Sequence, residues 1–225
     1  MKKSLTITVD GPAGAGKSTV SKCLADRLSY KYVDTGALYR AVAFLAEREG
    51  LTERDAEKLR FLCENSDIRL TRGRRSRVLT GGVDVTDEIR TPRISMLASK
   101  LSALPAVRAG LLALQRNMVK KGGVVVEGRD MGTVVFPEAD MKFFLDAAVD
   151  ERARRRFEEL RRNGFTVSFD EVRRQIVERD EQDSNRDLSP LKPADDAVII
   201  DSTLYGVEEV VGLMIDFVRK AVQKR

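Results

Sequence analysis

Residues 11–18 read Gly-Pro-Ala-Gly-Ala-Gly-Lys-Ser, and no other stretch constrains the chain so strongly. The octapeptide fits the pattern G-x-x-x-x-G-K-[ST]. Its glycines let backbone N–H groups curl around a phosphate with no Cβ in the way. A helix that follows would point its positive N-terminal end at the same anion. Lys17 can then reach the β- and γ-phosphates of a triphosphate, and the Ser18 hydroxyl can ligate Mg²⁺. Gly11, Pro12, Ala13, Gly14, Ala15, Gly16, Lys17, Ser18 and Thr19 are therefore assigned to ATP, with Ser18 as the metal ligand. The flanks supply the context such a loop requires. Residues 5–9 (LTITV) form a short apolar, β-branched run that reads as a buried parallel strand, and Val20, Leu24 and Leu28 recur at helical spacing. A dinucleotide-binding fingerprint does not fit, because Thr19 stands where its third glycine belongs.

The rest of the chain continues the alternation. Tyr32–Val33, Val124–Val126, Met141–Leu145 and Ala197–Ile200 read as further strands. Helical periodicity runs over 37–47, 54–63, 94–101, 107–114, 150–162, 170–183 and 207–222. Strands alternating with helices imply an α/β fold, with a parallel sheet covered on both faces. Between residues 68 and 85 the period changes. Ile68, Leu70, Val78, Leu79, Val83 and Val85 fall in short runs separated by glycines, which predicts a small antiparallel sheet. At 225 residues and 42% hydrophobic, the chain suits one large unit carrying small insertions.

Composition excludes several classes. There is no histidine, which rules out a histidine base and makes a zinc site implausible. Two cysteines without a CxxC pair suggest reduced packing residues and a cytoplasmic protein. A signal peptide would take the phosphate loop with it when cleaved, so none is expected, and no apolar run is long enough for a membrane span. The net charge of +5 is too small to imply nucleic acid, and with no tryptophan and 6% aromatics there is little to stack on bases. The arginines are nevertheless clustered, in 72–77 (RGRRSR) and 152–162 (RARRRFEELRR). The first reads as an exposed hairpin. The second fits either a solvated helix face or a site that gathers phosphates. Within it, Arg152, Arg155 and Arg156 share one helix face.

A phosphate loop alone leaves GTPases, motors and small-molecule kinases open. No Asn-Lys pair is present to read guanine, and a motor core is normally larger. Five blocks narrow the choice: Asp10–Thr19, Asp34–Arg40 (DTGALYR), Glu127–Pro137 (EGRDMGTVVFP), Glu178–Arg186 (ERDEQDSNR) and Asp201–Thr203. Together they resemble the bacterial cytidylate kinases, in that family's order and across nearly the whole chain. Thr35 stands where many members have Ser, and Glu127 where some have Asp; both keep the functional group.

The resemblance implies a P-loop nucleoside monophosphate kinase fold, with a five-stranded parallel sheet. It implies one kinase unit over 1–225: a core (1–34, 97–150 and 187–225), a monophosphate-binding insert with antiparallel strands (35–96) and a helical lid (151–186). It implies the reaction of ATP with CMP to give ADP and CDP, with dCMP as a second acceptor, in a cytoplasmic monomer that binds neither nucleic acid nor membrane. It places Thr35, Tyr39, Arg40, Ser99, Arg108, Arg129, Asp130, Arg179, Asp183 and Arg186 at the acceptor. The chemistry agrees with that set. A carboxylate such as Asp130 suits the cytosine amino group, which UMP lacks, and Ser99 and Arg108 can donate to the remaining base edge. The dianionic phosphate needs guanidinium forks, for which Arg40, Arg129 and Arg186 are candidates, and Asp183 can accept from the ribose. Lys17, Arg156 and Arg179 are assigned to the transferred phosphoryl group. A kinase for UMP, AMP or shikimate shares the loop and differs only in the acceptor residues. Lys17→Ala is expected to abolish turnover while leaving the circular dichroism spectrum unchanged; substantial residual kcat would mean the lysine does not contact the β- and γ-phosphates.

Overall fold

The computed structural model describes residues 4–71, 77–120 and 122–223; residues 72–76 of the first arginine cluster lie outside the described residues. The chain divides into two compact units, Met1–Tyr32 with Gly122–Arg225, and Val33–Lys121.

The first unit is built on the phosphate-loop segment. Strand β1 (Thr6–Asp10) leads through the loop into helix α1 (Lys17–Leu28), and the chain leaves along β2 (Lys31–Asp34). It returns as β6 (Val124–Glu127), β7 (Met141–Asp146) and β8 (Val198–Asp201), with helices α6 (Val149–Arg162), α7 (Phe169–Ser184) and α8 (Val207–Gln223). The sheet order is β2-β6-β1-β7-β8. β1 runs parallel to both β6 and β7, pairing Thr6 with Val124 and Ile7 with Met141, and β8 runs parallel to β7. The three central strands β6, β1 and β7 are mainly apolar and almost wholly buried, as cover on both faces demands, whereas the edge strands β2 and β8 are only partly buried. Ile7, Val9, Val125, Phe143 and Leu145 form one core with Val20 and Leu24 of α1 and with Val210, Val211 and Met214 of α8. Helices α6 and α7 carry a separate small core of Ala153, Leu160, Val172 and Ile176, closed at its edge by Phe157 against Phe169 at 6.1 Å. Ser168 starts α7 by accepting a bond from the Glu171 amide at 3.2 Å.

The second unit contains α2 (Thr35–Arg48), α3 (Ala56–Asn65), α4 (Pro92–Leu101) and α5 (Pro105–Val119). It also holds a three-stranded antiparallel sheet of β3 (Ile68–Leu70), β4 (Val78–Thr80) and β5 (Val83–Asp84), in that order. The change of period at residue 68 therefore does mark antiparallel pairing, with Ile68 opposite Thr80 and Leu79 opposite Asp84. Leu38 and Val42 of α2, Leu59 of α3, Ile94 and Leu101 of α4, and Val107 and Leu111 of α5 merge with Ile68 and Val78 into one buried cluster. Thr91 caps α4 by accepting from the Ile94 amide at 3.2 Å, and Pro92 fills the first helical position, where a missing N–H costs nothing. Both cysteines are free thiols. Among the described residues no single helix is long and apolar enough to cross a membrane.

Helices α3 and α5 approach closely because residue 110 has no side chain. A Cβ on Gly110 would lie 2.6 Å from the Cys63 Cβ and 3.3 Å from the Arg60 carbonyl. Elsewhere in a helix, Gly→Ala gains roughly 1 kcal/mol. Here overpacking costs about 1–3 kcal/mol. Gly110→Ala is therefore expected to lower the urea midpoint, and a raised midpoint would show that the two helices can part without loss.

Candidate active site

The phosphate loop is held open by steric exclusion and by hydrogen bonds from its surroundings. Gly11 has φ of 145°, and a Cβ there would come within 2.0 Å of the Leu145 carbonyl oxygen, so only glycine fits beside β7. Gly16, at φ 89°, turns the chain into α1. Lys17 is buried, and its ammonium donates to the Pro12 carbonyl across the loop at 2.6 Å. Burial first, and then the nearby Arg129 guanidinium, push its pKa well below the usual lysine range; Arg179 acts in the same direction. Three cationic side chains thus share one electrostatic neighbourhood in this unit, an arrangement suited to a multiply charged anion.

Ser18 donates to Glu127 Oε1 at 2.7 Å, and the Tyr32 hydroxyl donates to the same oxygen at 2.5 Å. Glu127, at the end of β6, is buried. The segment after it carries Arg129 and Asp130. A short π-helical turn (Met131–Val135) follows, in which the Asp130 carbonyl accepts from Val134 and Val135. The Asp130 side chain is buried and makes no capping bond to the turn.

Asp183 near the end of α7 gathers three of the arginines predicted for the acceptor, Arg129, Arg179 and Arg186. Its carboxylate is 1% exposed; Arg129 Nε donates to it at 3.0 Å, Arg179 Nε stands 3.9 Å away and Arg186 pairs with the other oxygen. Desolvation raises its pKa, but the Coulombic pull of the three arginines outweighs that and holds the carboxyl below the usual range. Arg156 donates to Glu159 on its own helix at 2.8 Å.

The second unit holds the other predicted acceptor residues. Asp34 caps α2 by accepting from Ala37 at 2.9 Å and pairs with Arg40 at 2.9 Å. Thr35 is buried at the first turn of the same helix, and Tyr39 lies one turn on, with the Arg108 guanidinium 5.9 Å from its ring centroid. Arg108 also donates to the Ser102 carbonyl at 3.1 Å, and Ser99 is buried on α4.

A family model for cytidylate kinase matches residues 7–220. The chain belongs to the cytidylate kinase family. It is 52% identical to the cytidylate kinase of Geobacter sulfurreducens over 220 residues, covering 97% of this chain and 94% of that one. It is 46% identical to that of Bacillus pumilus, covering 96% of each. A gluconokinase structure from Sinorhizobium meliloti, 16% identical, covers 100% of this chain and 97% of its own at a TM-score of 0.51, a likeness of fold alone. The chain is thus a nucleoside monophosphate kinase, a phosphotransferase.

For this member of the family, the sequence reading left three polar groups without a role. Asp10 reads in the sequence only as the first residue of the block Asp10–Thr19, yet its carboxylate accepts from the amides of Met131 and Gly132 at 2.9 and 2.8 Å. Glu127 was legible only as part of a motif, not as the acceptor for Ser18. Arg152, placed on the face of α6 with Arg155 and Arg156, is instead turned inward. It donates to the carbonyls of Ala147 at 2.8 Å and Ala13 at 3.1 Å and pairs with Asp180 at 2.6 Å. An acid directly before the first glycine of the phosphate loop, at the head of the block Asp10–Thr19, is the sequence signal that could have pointed to Asp10.

Because the Asp183 carboxyl is depressed, its contribution to stability is present above the ordinary carboxylate range and is lost as pH falls through the lowered value. Asp183→Asn is expected to cost about 3 kcal/mol at pH 7, since it leaves three part-buried arginines without their shared carboxylate. That gap should narrow as the pH falls below the ordinary carboxylate range, where the wild type loses this contribution as well. Urea titrations at neutral and at acid pH test this, and a gap that does not depend on pH would contradict it.

Proposed function

We propose that this chain transfers the γ-phosphoryl group of ATP to CMP, giving ADP and CDP, and that dCMP serves as a second acceptor. The observation that carries the reading is the convergence in one unit of Lys17, Arg129 and Arg179 beside the buried acids Asp130 and Asp183. A donor-phosphate lysine, phosphate-gripping guanidiniums and carboxylates able to read a base or ribose are the parts a nucleotide-to-nucleotide phosphotransferase needs. The cytidylate kinases named above add the acceptor's identity.

Lys17 now bonds a loop carbonyl and would exchange it for phosphate oxygens when ATP binds. Arg129 and Arg186 would grip the acceptor phosphate, with Asp183 keeping both oriented, and Arg40 is a further candidate for the same anion. Asp130 would accept from the cytosine amino group. Against UMP it would face a carbonyl oxygen, and a mismatch of that kind is strongly rejected because a buried acceptor loses its partner. Thr35, Tyr39, Ser99 and Arg108 would complete the CMP site. Arg179 and Arg156 would stabilise charge on the moving phosphoryl group, Arg156 after release from Glu159. Helices α6 and α7, with their own apolar core, can act as a lid that keeps water from the phosphoryl group, and the division into core, insert and lid given above is part of this proposal.

Mg²⁺ is expected on Ser18. The Ser18 hydroxyl and the Glu127 carboxylate, 2.7 Å apart, form a hard-oxygen set of the kind this ion takes. When bound it neutralises charge across the β- and γ-phosphates.

A coupled assay of ADP release against CMP, dCMP, UMP, AMP and shikimate tests the acceptor. CMP and dCMP are expected to lead by orders of magnitude in kcat/KM, and parity with UMP or AMP would overturn the reading. Asp130→Ala is expected to raise KM for CMP at least about tenfold while KM for ATP stays within about twofold. An unchanged KM for CMP would remove Asp130 from the base site.

A further inference from the structure

Asp10 occupies an unusual position between the two ends of the reaction. It is the last residue of β1 and directly precedes Gly11, so its backbone opens the phosphate loop. Its side chain faces the other way. Oδ1 accepts from the Met131 amide at 2.9 Å and Oδ2 from the Gly132 amide at 2.8 Å. Those amides immediately follow Arg129 and Asp130 in the chain. The carboxylate is only 5% exposed, so both bonds are sheltered from water.

The seat around this clamp is close-fitting. A Cβ on Gly132 would lie 3.1 Å from Thr8 Oγ1, 3.1 Å from the Lys142 Cδ and 3.4 Å from Asp10 Oδ2. Residue 132 therefore reaches the carboxylate only because it is glycine, and β1 and β7 together form the floor on which the turn rests. Lys142 is fixed in turn by Asp196 at 2.8 Å. Burial, opposed by the two amides, raises the Asp10 carboxyl to about 6. The charges of Asp130 and Lys17 also act on it, the first raising and the second lowering its pKa, so the group senses the base-reading acid and the phosphate lysine together.

Two ionised acids held near each other repel, and a buried carboxylate costs free energy that its amide bonds only partly offset. Packing does not need such a group, since an apolar side chain would fill the space without that cost. What a carboxylate supplies and an apolar group cannot is two fixed acceptors aimed at two successive amides. That fixes the direction in which residues 129–130 leave β6.

We propose that Asp10 is a positioning residue for base selection: by clamping the Met131 and Gly132 amides it holds Arg129 and Asp130 in register with the phosphate loop. This rests on the CMP reading above. Selection between two bases that differ in one donor depends on where the reading acceptor sits, and a shift of the order of 1 Å is enough to cost ~10²-fold.

The test is the ratio of kcat/KM for CMP to that for UMP, measured on the same preparation, so that the concentration of active enzyme cancels. Asp10→Asn places an amide NH₂ where one acceptor stood and opens the clamp. Gly132→Ala keeps the carboxylate and opens it from the other side. Each is expected to lower the ratio about tenfold, with KM for ATP within about twofold of wild type. A residue needed only for stability would lower expression and melting temperature and leave the ratio unchanged. If wild type prefers CMP and the soluble variants keep its ratio, the positioning role is overturned and the CMP reading stands. If wild type itself shows no preference, the CMP reading falls and this inference falls with it.

Discussion

A polyphosphate can be held by backbone amides only where a strand stops and its hydrogen-bonding groups turn away from the sheet. That place here is the carboxyl end of β1, in the middle of a five-stranded parallel sheet. Flanking strands β6 and β7 both run parallel to β1 and so end on the same side. The segments that follow them, with Arg129–Asp130 after β6 and the approach to α6 after β7, arrive on that side as well. Gly11 is glycine because the Leu145 carbonyl of β7 leaves no room for a Cβ. The loop is therefore shaped by the sheet as much as by its own sequence, and the sheet's parallel order decides which chain segments can reach the phosphates.

The second theme is compensation of buried charge. Asp183 faces three arginines, Arg152 is enclosed by two carbonyls and Asp180, and Lys17 leans on the Pro12 carbonyl. Such groups contribute little net stability, because desolvation consumes much of their Coulombic gain. Their value lies in geometry. A guanidinium already fixed by a carboxylate loses less side-chain freedom when it grips a phosphate. Arg129 and Arg186 are thus oriented by the buried Asp183, whereas Arg156 is tied to a half-exposed glutamate on its own helix.

The sheet and its helices were legible because every strand contains a short run of mainly apolar residues and the helices keep their period. The antiparallel strands were legible because the glycines between them punctuate the change to short runs. Long motif blocks made the family readable. What local pattern could not show was pairing at long range. Nothing near Asp10 in the sequence names Met131, and nothing near Ser18 names Glu127. The turn at 131–135 follows an i to i+5 bond that leaves no periodic trace in Met-Gly-Thr-Val-Val. Arg152, Arg155 and Arg156 look alike on a helical wheel, yet only the neighbours of Arg152 bury it. Helical spacing gives a face; tertiary contacts decide whether that face meets solvent, substrate or protein.

The interleaving of the two units also bears on how the chain is made. The unit at Val33–Lys121 is continuous in sequence, whereas β1 cannot find its partners β6 and β7 until residues 124–146 exist. As the polypeptide emerges from the ribosome, β1 and the phosphate loop come out ahead of the strands they pair with, while the unit between them is complete in one continuous stretch. The element that names the enzyme's chemistry thus depends for its shape on chain made well after it.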